Sequence, residues 1–274
     1  MRNLLAANFR RLWKSRLFWL TVAFMSLGSV CINWVGYNEQ NTPQVFAETL
    51  LFYMLPFTGF VFLLFISMRL GTEFEECTIR NKLIIGHSRT QVYFAECIIC
   101  IAASVILMVV MLLSSAAFAR LLSLEYQYSR GQLALLIFCC VLISLVYAAI
   151  FVGINMNVGS RAVSLIVSFL FLLSIFMIAS IFCSALEEPQ TTYEYVKFTN
   201  EGVQYGDLIS NPDYISGNKR TLYQLITGIL PAGQCIQLHN LSCTQPALWP
   251  VYSMAMLAVS LLAGYLPFRR KNIR

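Results

Sequence analysis

The sequence predicts an all-α integral membrane protein in which the 274 residues form a single membrane domain. The composition is the first reason, because 58% of the residues are hydrophobic, 12% are charged and the mean hydropathy is +0.68. A soluble domain carries about twice that charged fraction. The second reason is that six apolar runs reach the roughly 20 residues that a membrane-spanning helix needs.

The first 16 residues are expected to form an amphipathic helix that lies in the plane of the lipid headgroups. Apolar side chains recur near one face at helical spacing, and basic side chains lie on the other. The alternative is that the basic residues are only the positive flank of the first span. The apolar face holds Leu5, Phe9, Leu12 and Trp13, and the basic face holds Arg10, Arg11 and Lys14.

Six spans follow, separated by connectors of very different length. The second span contains Pro56, and we expect a kink there, because proline removes a helical hydrogen bond and clashes with the preceding turn. No repeat of 20 to 50 residues is evident, which excludes a solenoid. The predicted spans cover about 17–35, 46–70, 93–119, 133–154, 163–182 and 247–268.

The distribution of basic residues predicts that both termini face the cytoplasm. With that orientation, 14 of the 19 Lys and Arg residues lie in inner segments, whereas the opposite orientation reverses the ratio. The same placement explains the net charge of +6 without a nucleic-acid partner. The five outer basic residues are Arg120, Arg130, Lys197, Lys219 and Arg220.

The segment 183–246 is a large external connector before the last span. Its aromatic residues are expected to build a small packed cap. Apolar residues at helical spacing predict a helix over Thr221–Gln234, ended by Pro231 and Gly233, that re-enters the membrane or lies on the outer leaflet. Cys235 and Cys243 either form a disulfide on this oxidising side or are two free thiols. The aromatic residues are Tyr193, Tyr195, Phe198, Tyr205, Tyr214 and Tyr223.

The inner connector 71–90 carries the densest charge in the chain. Thr72 and Glu75 have capping-box spacing, so a helix is expected to begin there and to end at Gly86. Acidic residues come first and basic residues last, as the helix dipole favours, and Glu76 is placed to pair with Arg80. We expect this helix to dock onto another protein, the alternative being a solvated loop. The residues expected to take part in this docking are Glu73, Phe74, Glu75, Glu76, Arg80, Lys82, Gly86 and Arg89.

The run E-F-E-E-C-T-I-R-N-K-L-I-I-G-H-S-R-T-Q-V-Y-F-A-E, from Glu73 to Glu96, resembles the first cytoplasmic loop of type-2 ABC exporter permeases. The likeness is greatest to the six-span, single-domain permeases of Gram-positive bacteria, and it extends over the layout of the whole chain. The L-P-A-G-Q element at Leu230–Gln234 also resembles a feature before the last span of that family.

The resemblance implies a transport subunit in the bacterial cytoplasmic membrane, with the connector helix acting as a coupling helix. ATP and Mg would then bind a separate cytosolic ATPase subunit, and a second permease copy or homologue would complete the transporter. No G-x-x-x-x-G-K-[ST] phosphate loop occurs in the chain, so we expect no ATPase activity and no cofactor here. The substrate is expected to be an amphiphilic peptide, lipid-like or drug-like molecule.

Polar residues within the spans are candidates for lining the substrate path. Ser and Thr in membrane helices more often bond to their own backbone or to a neighbour. The path candidates are Asn33, Thr58, Ser67 and Ser144.

Nine cysteines are scattered, mostly in apolar runs, where a thiol packs as a small hydrophobe, and no metal site is expected.

Three other functions compete with the permease. An intramembrane protease would use Glu75, Glu76 and Arg80 with paired histidines, but His87 and His239 are predicted on opposite sides of the membrane. A secondary transporter usually has ionisable groups deep inside its spans, and here they lie near the predicted ends. A membrane immunity or assembly factor stays open, but it would not require a helix in the inner connector.

Overall fold

The computed structural model describes residues 2–39, 45–193, 196–199 and 202–271. The described residues are mainly helical, and six helical segments among them are long and apolar enough to cross a membrane. The predicted helical membrane architecture is thereby confirmed. The six segments are Arg16–Asn38, Ala47–Glu75, Arg89–Leu121, Arg130–Val158, Arg161–Glu187 and Pro246–Arg270.

The amphipathic N-terminal stretch forms α1 (Arg2–Lys14), and α2 (Arg16–Glu39) begins two residues after it ends. Leu4, Asn8 and Leu12 are buried, at helical spacing, so they form the face of α1 that packs on the protein. The predicted apolar face is therefore only partly right, because Phe9 and Trp13 are exposed.

The second predicted span is two helices, α3 (Ala47–Phe52) and α4 (Leu55–Glu75). The prediction of a kink at Pro56 inside one helix is wrong. The helix is interrupted at Tyr53 and Met54, and Pro56 lies in the first turn of the next helix, α4. A proline there loses no helical bond, since the first N–H groups of a helix have no partner inside it. The Tyr53 carbonyl at the break accepts a hydrogen bond from Nδ1 of His239 (3.0 Å).

The segment 71–90, the predicted inner connector, contains the short helix α5 (Thr78–Ile84) and leads into the long helix α6 (Arg89–Leu121). The predicted single helix from Gly71 to Gly86 is wrong, because α4 continues to Glu75 and the chain turns at Cys77, whose φ is 55°. Thr72 is not a cap, and its hydroxyl donates to the Met68 carbonyl inside α4 (2.9 Å). Gly86 does end the element, with a φ of 102°.

Three further helices complete the bundle, namely α7 (Arg130–Val158), α8 (Arg161–Glu187) and α11 (Trp249–Arg270). Helix α7 is central and packs against α6, α4, α8 and α11. It meets α11 closely, because a Cβ placed on Gly153 would lie 3.2 Å from the Cα of Gly264. Most of α2, α8 and α11 is exposed and apolar, which suits contact with lipid.

The segment 183–246, the predicted external connector, contains short strands that were not expected. Strands β1 (Thr191–Tyr193) and β4 (Leu208–Ser210) pair antiparallel, and β2 (Val196–Thr199) pairs antiparallel with β3 (Gly202–Tyr205). Of the predicted cap aromatics, Tyr223 packs against Phe182 and Tyr214 lies under Arg220. Tyr193 is exposed, Tyr195 lies outside the described residues, and so do the side chains of Phe198 and Tyr205.

Two helices, α9 (Asn218–Ile229) and α10 (Pro231–His239), replace the single helix expected over Thr221–Gln234. Pro231 begins α10 rather than ending the pattern, and α10 is buried against α8, α4 and α7. Gly233 allows the close approach of the two helices, because a Cβ there would lie 2.8 Å from the Cα of Thr227. Gln234 joins them by donating from Nε2 to the Gly228 carbonyl.

Candidate functional site

Four ionisable side chains meet in a buried cluster beside the inner connector. We call Arg69, Glu73, Lys82 and Glu96 the charge cluster. Lys82 Nζ lies 2.7 Å from Oε2 of Glu73 and 2.7 Å from Oε1 of Glu96. Arg69 Nη1 lies 2.8 Å from Oε2 of Glu96, and its Nη2 lies 3.3 Å from Oε1 of Glu73. The cluster therefore joins α4, α5 and α6.

The N-terminal helix also reaches the charge cluster. Asn8 of α1 is buried and donates from Nδ2 to Oε1 of Glu96 (2.8 Å). Arg11 of α1 is more distant and more exposed, with its Nη1 3.8 Å from Oε1 of Glu73. The network thus connects α1, the end of α4, the connector helix α5 and the start of α6.

The charge cluster is electrically balanced, since two cations face two carboxylates. Taking a charge out of water costs several kcal/mol, and the cost is offset only when the partners have good geometry and satisfy each other's hydrogen bonds. All four carboxylate oxygens accept a hydrogen bond or ion pair in this arrangement. Removing one partner would leave an unpaired buried charge, which typically costs about 3–5 kcal/mol.

The turn at Cys77 creates this arrangement. It ends α4 just after Glu73 and redirects the chain, so that α5 lies back against α4 and α6 with Ile79 and Lys82 buried. The next helix begins at a capping box that the sequence analysis missed, in which the Ser88 Oγ accepts from the Gln91 N–H (3.2 Å) and the Gln91 side chain accepts from the Ser88 N–H. Both ends of the connector are therefore fixed.

The side of the connector that points away from the helical bundle is exposed. We call the exposed residues Glu76, Arg80, Asn81, Ile84 and Ile85 the loop face. Ile84 and Ile85 are 71% and 79% exposed, which is unusual for two adjacent isoleucines in a polar connector. The expected pair between Glu76 and Arg80 is not formed among the described residues, so both charges are free at the surface.

The remaining predicted connector residues contact the C-terminal end of α11. Arg89 donates from Nη1 to the Lys271 carbonyl, and the Lys271 Nζ donates to the Met156 carbonyl (3.2 Å). The same Nζ lies 5.2 Å from the centre of the Phe74 ring. Burial lowers the pKa of Lys271. Glu75 lies apart from this group, 3.6 Å from Arg161.

The path candidates do not converge on one cavity in the described part of the chain. Thr58 donates to the Leu55 carbonyl and Ser144 to the Val141 carbonyl, each within its own helix. Ser67 differs, because its hydroxyl accepts from Nδ2 of Asn155 on α7 (3.1 Å). Asn33 is buried, and neither of its side-chain polar atoms has a hydrogen-bond partner among the described residues.

The cysteines are free thiols, Cys235 and Cys243 included. Burial raises the pKa of each of these two to about 12. Cys97 and Cys100 have a Cys-x-x-Cys spacing that the sequence analysis overlooked, and both are buried in α6. Among the described residues, no three His, Cys, Asp or Glu side chains are grouped closely enough to hold a metal ion.

The sequence did not predict the charge cluster, although Glu73 and Lys82 were expected to belong to the connector helix. Arg69 and Glu96 do lie near the ends of their helices, as expected, but their burial was not predicted: the Arg69 side chain is 9% exposed and that of Glu96 is fully buried. The spacing of Arg69 and Glu73, four apart on one helix, was the available signal for their ion pair.

No family model matches the chain, and no curated protein matches its sequence.

Proposed function

We propose that the protein is the permease subunit of an ATP-driven exporter, coupled through its inner connector to a separate cytosolic ATPase. The observation that carries the proposal is the charge cluster, because it ties the short helix α5 to two long helices by buried ion pairs. A force applied to α5 would therefore reach α4 and α6 directly.

The loop face supplies the surface on which such a partner would act. It has two exposed isoleucines for an apolar contact, and unpaired charges at Glu76 and Arg80 for orientation. Interfaces commonly combine an apolar centre with a polar rim. A partner that binds here would push on a helix that cannot slide independently, because Lys82 anchors its other side.

The resemblance of Glu73–Glu96 to the type-2 ABC exporter permeases supplies the identity of the partner. In this proposal ATP and Mg bind the partner, closure of the ATPase moves α5, and the spans change the access of the substrate path. The exposed apolar faces of α2, α8 and α11 leave room for lipid and for a second permease copy. The termini would be cytoplasmic, and the substrate an amphiphile.

The proposal is tested by purifying the tagged protein from its native membrane and assaying the preparation for ATP hydrolysis. We expect a co-purifying subunit that contains a phosphate-loop motif. Glu76→Lys with Arg80→Glu should lower its recovery or uncouple ATP hydrolysis from transport. The matched double reversal Glu125→Lys with Arg130→Glu, at two exposed residues predicted on the other side of the membrane, should do neither. Transport by the purified chain without an ATPase would refute the proposal.

A secondary transporter is the second candidate, favoured by the full burial of Glu96. Buried ionisable groups in spans often belong to ion pathways. Here, however, Glu96 is held by Arg69, Lys82 and Asn8, which leaves it poorly placed to exchange a proton. Transport that is abolished by a protonophore and indifferent to ATP depletion would favour this candidate.

A further inference from the structure

A cavity of about 500 Å³ lies between α1, the start of α2 and the end of α4. Its volume is within the usual range of ligand sites. Three cationic side chains line it, from Arg11, Lys14 and Arg69, together with the carboxylates of Glu73 and Glu76. The lining thus carries one more positive than negative charge, and the acids do not cancel the cations.

The cations of the cavity are not equivalent. Arg69 is committed to the charge cluster, where it pairs with Glu73 and Glu96. Arg11 has only the 3.8 Å contact with Glu73, and its side chain is 56% exposed. Within the described residues no carboxylate lies within ion-pair distance of Lys14, which is exposed. Arg11 and Lys14 are therefore available to an anion that enters from outside.

An apolar surface begins at the mouth of the same cavity. Leu17 lines the cavity, and Leu20, Phe24 and Leu27 follow it on α2 at offsets of three, seven and ten residues, which places them near one helix face. All three are more than half exposed. An anionic cavity ligand that also had hydrocarbon chains could cover this ridge, whereas a free anion could not.

Two exposed tryptophans mark the same level of the protein. Trp13 and Trp19 pack edge to face with ring centres 5.3 Å apart, and the Trp19 Nε1 donates to the Trp13 carbonyl (2.8 Å). Tryptophan is enriched at the boundary between headgroups and acyl chains. The cavity therefore lies beside the headgroup layer, and the ridge on α2 extends from it toward the hydrocarbon.

We propose that the cavity between α1 and α4 binds the phosphate headgroup of an anionic phospholipid, with Arg11 and Lys14 as its ligands and the α2 ridge as the contact for its acyl chain. The phosphate-binding chemistry is shared with free inorganic phosphate. Charge complementarity and the adjoining apolar ridge together favour the lipid. The inference does not need the ATPase partner, because the proposed ligands Arg11 and Lys14 lie outside the loop face, and Glu76 is the one residue of the loop face that also lines the cavity.

The test uses native mass spectrometry of the purified full-length protein, incubated with phosphatidylglycerol or with phosphatidylcholine of the same acyl chains. We expect preferential retention of phosphatidylglycerol, and a loss of roughly 10- to 30-fold in its affinity for Arg11→Gln with Lys14→Gln, given the usual contribution of each basic residue to anionic-lipid binding. The matched pair Arg10→Gln with Arg16→Gln removes the same charge from exposed positions outside the cavity and should leave retention nearly unchanged.

Three results would overturn the inference. Equal retention of the two lipids by the wild-type protein would remove the headgroup preference. An equal loss in the Arg10 and Arg16 control would indicate diffuse surface charge rather than a site. Displacement of phosphatidylglycerol by millimolar inorganic phosphate, with no dependence on acyl chains, would assign the cavity to the free anion. Lys14→Gln alone serves as the second variant if the double variant is unstable.

Discussion

Lys82 of α5 and Glu96 of α6 form a buried ion pair of 2.7 Å across the turn that separates the connector helix from the next long helix. Glu96 is fully buried, and the Lys82 side chain is 10% exposed. The pair holds the connector against the bundle at one point, while the loop face on the other side of α5 stays open to a partner.

This relationship predicts a strong coupling between the two side chains. Lys82→Met should lower stability by about 3–5 kcal/mol, because it leaves two buried carboxylates with one cation. Adding Glu96→Gln should recover part of the loss, since the second substitution removes the unpaired charge. Thermal unfolding of the single and double variants in detergent measures the coupling. Additive losses would show that the two residues do not interact.

Gly71 predicts a second effect, in the packing of α4 on α8. A Cβ at this position would lie 2.5 Å from Cγ and 3.0 Å from Cα of Arg161. Gly71→Val should therefore separate the two helices and lower the melting temperature by several degrees, as overpacking costs roughly 1–3 kcal/mol. Gly131→Val is the control, because no atom of the described residues lies within 4 Å of its Cβ position. Equal melting temperatures for both variants would contradict the packing.

The predicted orientation leads to a labelling experiment. Cys77 is exposed on the connector, whereas Cys235 is buried and a pKa raised to about 12 keeps its thiol protonated. A membrane-impermeant maleimide on intact cells should label an introduced Asp213→Cys, which is exposed on the external connector, and should spare Cys77. Cys77 should react only after permeabilisation. Labelling of Cys77 and protection of the introduced cysteine on intact cells would show that the orientation is the opposite of the predicted one.

His239 predicts a pH dependence of stability. Burial lowers its pKa, with smaller opposing effects from the Tyr53 carbonyl and Glu187. The unfolded chain then binds a proton more readily than the folded one, so stability is present above about pH 6.5 and falls as the pH drops below that value. Melting temperatures at about pH 7.5 and pH 5 should differ less in His239→Gln than in the wild type. If the melting temperature of the variant changes with pH as much as that of the wild type, groups other than His239 cause the pH dependence.

The six spans were predictable because twenty consecutive apolar residues have few alternatives to a membrane helix. The break at Tyr53 and Met54 was not, because Pro56 is compatible with both a kinked helix and the first turn of a new one. The strand pairs β1–β4 and β2–β3 had a local signal in their β-branched and aromatic residues, but the number of tyrosines favoured the interpretation as a packed cap.

The candidate site was only half visible in the sequence for a related reason. Glu73 and Lys82 were chosen as parts of one amphipathic helix, yet the left-handed turn at Cys77 places them on different helices that face each other. A cysteine with positive φ has no sequence signature, since that conformation is favoured by glycine and asparagine. The pairing of Arg69 with Glu96 depends on the same turn, so it could not be derived before the fold was known.

The contact between Arg89 and Lys271 has a consequence for the order in which the protein is made. The two residues are 182 positions apart, so Arg89 leaves the ribosome long before its acceptor exists. At 5 to 20 residues per second the interval is roughly 10 to 40 s. During that time the segment 71–90 lacks the contacts through which Lys271 connects Arg89, Met156 and Phe74. The contacts of Lys271 therefore form only at the end of synthesis, and a chain that stops before this residue would lack them.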